Sequence, residues 1–274
     1  MITKGEIKMK LKYAAMIAAV ATTGFAIADV YTSGVKLCQV QVDNTTPDAV
    51  FAVPVVGVVT DAVNPSELVM SGNMQEGDYM YVNDGGTRKA WVLGSDKATW
   101  SGAWIAADTN VTGVAIQGAS ASDALSRGNA VWLHRRETSP ISIYLWGRVA
   151  TNSFTTTTSA ASGTSSGGSF KMIGNPSTVA YSILDLPWGD TKPSVGDQIK
   201  KVDGNAANGY SSTTIYYCTS VEGDVVSWGY PTRVNGKREM HEFSSADAPT
   251  IAAGEGFYYY AKGAAPTLVW PSDY

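Results

Sequence analysis

The chain has 274 residues, 44% hydrophobic and only 16% charged, which is ample for a packed core and excludes a charge-solvated disordered polymer. Four of the 20 basic residues and one of the 24 acidic residues lie in residues 1–28, which leaves 16 and 23 beyond them, a formal charge of −7. A chain of that sign is not made to hold a nucleic-acid backbone or an anionic membrane surface, and no nucleic-acid partner is expected.

The first predicted element is a leader. Lys8, Lys10 and Lys12 precede an apolar run from Tyr13 that ends in Ala26-Ile27-Ala28, an A-x-A cleavage pattern. A signal peptide is expected over 1–28, with the mature chain starting at Asp29 in the periplasm, at the cell surface or outside the cell. Met9 would serve equally well as a start. A membrane anchor is the competing reading, but the run is shorter than the ~20 residues that span a bilayer. Cys38 lies too far from the cut to carry a lipid, and no transmembrane helix is expected in the mature chain.

Beyond the leader the side chains alternate with a period of two, and Asp-Gly and Gly-Gly pairs punctuate the runs, so strands are predicted throughout. Residues 35–42, around Cys38, form one such run, and Val50 to Val53 form another that ends at Pro54. A short helical turn is expected from Asn64 to Met70, where Pro65 and Glu67 follow a candidate cap. Gly77-Asp78 then opens a strand that Asp84-Gly85 closes five residues later. An aromatic strand at Trp91, a lone Trp104, an acidic turn at Ala121–Ala124 and a strand at Gly128–Arg136 come next, and a last strand after Pro140 reaches Trp146.

The same series then recurs. Phe170-Lys171-Met172-Ile173 runs into Pro176, Gly196-Asp197 and Asp203-Gly204 bracket five residues, and Tyr216-Tyr217 precede Trp228. An acidic turn at Ser245–Ala248, a strand at Gly254–Lys262 and a last strand to Trp270 complete it, and Tyr181 to Leu186 take the place of the helical turn. Gly128 stands as far from Pro140 as Gly254 does from Pro266. The expected architecture is all-β: two tandem small antiparallel β-sandwich or barrel modules from an internal duplication, at 29–150 and 170–274. Residues 151–169, nearly all Ser, Thr, Ala and Gly, are predicted to be a flexible linker. A β-hairpin arm is the alternative, since Thr155 to Thr158 favour extended backbone.

The second copy, with Gly174-Asn175-Pro176, Gly196-Asp197-Gln198-Ile199 and Gly254-Glu255-Gly256-Phe257, resembles a repeat found in secreted proteins of Gram-negative bacteria. The first copy departs from it, with Val53-Pro54 and Gly128-Asn129-Ala130-Val131 at the corresponding places. The resemblance covers most of residues 47–274 and implies a β fold and export. It implies no catalytic residues and no cofactor.

Few groups here have reactive potential. Gly163-Thr164-Ser165-Ser166-Gly167 fits the G-x-S-x-G pattern but lacks the strand and helix that make a nucleophile elbow. His134 and His241 lack the helical partner spacing of a zinc site. Asp78, Asp84, Asp197 and Asp203 could be calcium ligands, yet their repetition fits turn chemistry better: Asp84 and Asp203 capping turns in which Gly85 and Gly204 supply positive φ. Cys38 and Cys218 could pair once exported, or stay as buried thiols. The eight tryptophans and the run Phe257-Tyr258-Tyr259-Tyr260 serve either as core or as a platform for sugars or a partner chain. Alternate residues of that run must face opposite sides. Trp132, Tyr258, Tyr260 and Trp228 are accordingly the candidate contacts. The leading expectation is a non-catalytic structural or adhesive protein, not an enzyme, with a glycan or surface protein as partner. A carbohydrate-binding protein is the alternative. An outer-membrane-associated protein is the third reading, suggested by the terminal Tyr274 and opposed by Pro271 in the last strand.

Overall fold

A computed structural model describes residues 27–32, 35–42, 48–53, 62–63, 69–71, 78–84, 87–93, 104–106, 125–136, 141–148, 150, 152–158, 170–203 and 212–272. Within these residues the chain is all-β, with no helix and several antiparallel sheets. The strands of the first part are β1 (Ile27–Thr32), β2 (Val35–Val42), β3 (Asp48–Ala52), β4 (Ala62–Val63), β5 (Val69–Ser71), β6 (Tyr79–Asp84), β7 (Thr87–Leu93), β8 (Trp104–Ala106), β9 (Leu125–Ser126), β10 (Ala130–His134) and β11 (Ile141–Arg148). Next come β12 (Phe154–Thr157), β13 (Phe170–Gly174), β14 (Tyr181–Ser182), β15 (Gln198–Asp203), β16 (Ser212–Glu222), β17 (Val225–Val234), β18 (Lys237–Glu242), β19 (Thr250–Ile251), β20 (Gly256–Tyr260) and β21 (Thr267–Trp270).

Two larger sheets have the orders β3-β10-β6-β7-β8 and β13-β20-β15-β16-β17-β18. Smaller pairings accompany each: β1-β2-β11-β5 and β4-β9 in the first part, β12-β21 and β14-β19 in the second. The period-two pattern explains their faces. Phe51, Met80, Val131 and Leu133 are buried with Ile143 and Leu145 of β11. Ile173, Ile199, Phe257 and Tyr259 face a second core with Trp228, Leu268 and Trp270.

The opposite faces of the two sheets meet. Backbone bridges join Phe51 to Glu255 and Ile173 to Asn129. The Ala52 amide donates to the Gly254 carbonyl (2.8 Å) and the Gly174 amide to the Gly128 carbonyl (2.9 Å). Such an approach leaves no room for a side chain. A Cβ on Gly174 would stand 2.6 Å from the Ala52 Cα and 2.8 Å from the Asn129 carbonyl oxygen, and one on Gly256 would stand 2.6 Å from the Val50 Cγ1.

Two local expectations change. The segment read as a linker contains β12, which pairs with β21 from Phe154↔Trp270 to Thr157↔Thr267. Its β-branched threonines suit a pleated edge, and Thr156 is buried where its hydroxyl accepts a bond from the Trp270 indole (3.2 Å). Val69 and Met70, placed in a helical turn, lie in β5, because their pairing with Tyr144 and Ile143 outweighs the local capping signal. Of the two states open to the cysteines, Cys218 takes that of a free thiol buried in the second core. Of the leader, residues 1–26 lie outside the described residues, while Ile27 and Ala28 open β1. Residues 159–169, which hold the G-x-S-x-G pattern, also lie outside them.

Candidate functional site

The faces of β6, β10, β13 and β20 turned away from the two cores carry a row of rings. On β10, Val131 and Leu133 point inward and Trp132 and His134 point outward; on β20, Phe257 and Tyr259 point inward and Tyr258 and Tyr260 outward. Tyr79 lies 4.8 Å from His134, and Tyr81 stacks on Trp132 at 5.5 Å with planes 15° apart. From there the row crosses between the sheets: Trp132 to Tyr258 at 5.8 Å, Tyr258 to Phe170 at 6.1 Å, and Phe170 to Tyr260 at 5.2 Å. The phenols of Tyr81 and Tyr258 share a hydrogen bond of 2.9 Å across the junction. The Trp132 indole donates to the Asp48 Oδ1 (2.9 Å), which also bonds the His134 Nδ1 (2.7 Å). The Lys200 ammonium stands 5.8 Å from the Phe170 ring centre and 6.0 Å from that of Tyr258. Beneath the rings, Val50, Ala130 and Met172 complete an apolar cluster.

This arrangement brings three of the predicted contacts, Trp132, Tyr258 and Tyr260, into one row and excludes the fourth. Trp228 is 0% exposed and packs against Trp188 and Tyr259 on the opposite side of its sheet. Its residue type gave no clue to its face; its burial comes from the register that sets it opposite the buried Cys218. Asp84 and Asp203 end β6 and β15 as the spacing predicts, whereas Gly85 and Gly204 lie outside the described residues.

The other aspartates of the repeated frame, Asp78 and Asp197, are fully buried. Asp78 accepts from the Arg136 amide (2.7 Å) and Asp197 from the Lys262 amide (2.6 Å), each tying the start of one strand to the end of another. Asp197 also accepts from the Ser194 amide (2.9 Å) and the Tyr259 hydroxyl (2.7 Å). Its charge adds to burial in raising the Tyr259 phenol well above its ordinary range, and burial together with that charge pushes the Cys218 thiol up to about 12. The repeated Gly-Asp pair marks both aspartates, but its spacing points only to local turns, because the donors at Arg136 and Lys262 lie far along the chain.

His241 lies on the exposed hairpin, beside Tyr230 and Phe243, and its Nε2 is 3.0 Å from the Asp247 Oδ2. The Ser244 hydroxyl donates to Asp247 (2.6 Å). Because the serine is bonded to the carboxylate, this trio is a turn and lacks the nucleophile–base contact that acyl transfer requires. Hydrogen bonds from the Ser244 side chain first, then from His241 and the Ser244 amide, hold Asp247 down at about 2. Among the described residues no group of three or more His, Cys, Asp or Glu is placed to hold a metal, and no helix is long and apolar enough to cross a membrane. Compared with known proteins, the chain matches no family model, no curated protein and no solved structure.

Proposed function

We propose that the chain is an exported, non-catalytic structural or adhesive protein of the periplasm or cell surface, built by internal duplication of one β-sandwich-like module. The ring row between the sheets carries this reading. A sugar platform needs a ring face open to solvent, but here Trp132 is stacked on Tyr81 and tilted against Tyr258, its indole is tied to Asp48 of its own sheet, and the Tyr81 and Tyr258 hydroxyls bond across the junction. Such rings cement two sheets together. Duplication draws support from the matching orders of the larger sheets and from the paired cross-sheet bonds: Ala52 is to Gly254 as Gly174 is to Gly128. The resemblance of 170–274 to a repeat of secreted bacterial proteins and the Lys8-to-Ala28 leader support export.

Carbohydrate binding is the second reading, supported by the half-buried state of Tyr79, Tyr81, Trp132 and His134. The two separate on Trp132→Ala. The structural reading expects a loss of about 2 kcal/mol of stability, below the range for a fully buried Trp, and no retention of the wild-type chain on a glycan array. A glycan retained by the wild type and lost in a Trp132→Ala protein of unchanged stability overturns it. N-terminal sequencing of the exported fraction should begin at Asp29; a chain kept in the cytoplasm with its Met1 sinks the export claim.

A further inference from the structure

The outer edge of the six-stranded sheet is β18, and all six of its residues are exposed. Hairpin geometry decides which backbone groups that edge offers. Asn235 and Gly236, with φ of 52° and 79°, form the two-residue loop, so the flanking pair Val234↔Lys237 is of the hydrogen-bonded kind and the kinds alternate from there. The bond from the Phe243 amide to the Trp228 carbonyl (2.9 Å) continues the same alternation. Lys237, Glu239 and His241 therefore direct their amides and carbonyls to β17, while those of Arg238, Met240 and Glu242 point out of the sheet.

A second copy of β18 meets these groups with its own. Set antiparallel with Met240 opposite Met240, it places every outward residue opposite another outward residue, and Arg238 faces Glu242 on both sides of the axis. The flanking positions then set Glu239 opposite His241. A shift of two residues either way puts Arg238 or Glu242 against Met240 and loses the match. Arg238, Glu239 and Glu242 hold no ion pair among the described residues, so these charges are available. The residue on the axis is also apolar: Met240 is 46% exposed, on the face of the sheet it shares with Pro231.

We propose that β18 is a self-association edge, pairing antiparallel with β18 of a second copy about a twofold axis at Met240, so that two six-stranded sheets become one. The contact lies away from the ring row, so its failure would leave the structural role of that row intact. Six residues a side make a small interface, and association is accordingly weak and concentration-dependent.

Sedimentation velocity of the full mature chain, from micromolar to near-millimolar concentration, should show a monomer–dimer equilibrium. Arg238→Glu should weaken the dimer about tenfold or more, since two attractions become two repulsions, and Arg238→Glu/Glu242→Arg should restore it to within about threefold. Met240→Cys should form a disulfide-linked dimer under mild oxidation, because a hydrogen-bonded pair sets the two Cα atoms roughly 5.5 Å apart. Arg233→Cys, exposed on β17, is the control and should not. Met240→Pro removes only an outward amide and should give a folded monomer. A wild-type chain that stays monomeric throughout, a charge swap that fails to restore association, or cross-linking no faster at 240 than at 233 overturns the proposal.

Discussion

Asp197 accepts hydrogen bonds from the Ser194 and Lys262 amides and from the Tyr259 hydroxyl, out of reach of solvent. Asp197→Ala would leave those donors buried without acceptors, and a loss of about 3 kcal/mol is expected in urea unfolding, with Asp197→Asn milder. The Cys218 thiol, held up to about 12, should resist iodoacetamide at pH 8 in the native chain and react once urea unfolds it. Because this group is raised in the fold, its contribution to stability is full below pH 9 and is lost as pH rises toward 12. Asp247 has the opposite sign: held at about 2, it favours the turn above its ordinary 3.8 and releases it as pH falls through 2. Ser244→Ala removes the largest cause, so NMR titration should show the Asp247 carboxyl rising toward 3.8. At this scale the sequence was half legible. The alternation of Phe257 to Tyr260 correctly assigned two rings to each face, yet nothing in the residue types of Trp132 and Trp228 told that the first lines the ring row and the second fills a core.

Among the elements, β6 and β15 were the most readable. The Gly-Asp and Asp-Gly pairs bracket them at Tyr79–Asp84 and Gln198–Asp203 because the same frame recurs. Their outgoing connections differ in length, since β7 begins three residues after Asp84 and β16 nine residues after Asp203. The hairpin of β17 and β18 went unread, although Asn235-Gly236 is among the strongest local signals for a two-residue turn. A Cβ on Gly236 would meet open space, so Gly236→Ala tests backbone strain alone. A cost of about 1 kcal/mol is expected in dilute thermal melts, where self-association does not contribute. Strand β12 is legible only as the alternative to a linker, through Thr155 to Thr158: Ser, Thr and Gly composition describes linkers and edge strands alike, and only its partner β21 distinguishes them.

For the whole molecule, the cross-sheet bonds and the ring row tie the first part to the second, so neither larger sheet is expected to melt by itself. Thermal unfolding of the mature chain should be a single transition by both far-UV and near-UV dichroism. Gly174→Val pushes a branched side chain into Ala52 and the Asn129 carbonyl, and should lower that one transition rather than split it. Two separate transitions, with only one shifted by the substitution, would show that the sheets are independent. Sequence spacing announced two copies of one frame, but not their contact: the glycines that let the sheets meet are ordinary within their strands and acquire meaning only opposite Ala52, Val50 and Ala130.

The pairing of β12 with β21 has a mechanical consequence. The chain leaves β21 at Trp270, at the end of the ladder where Trp270 faces Phe154. A pull on the C-terminal end therefore meets one pair at a time, beginning with the buried Trp270 and its bond to Thr156, and the strand peels like a zip instead of resisting in shear. Tension drawn through that end would open this strand of the second core first, ahead of the longer ladders of the six-stranded sheet.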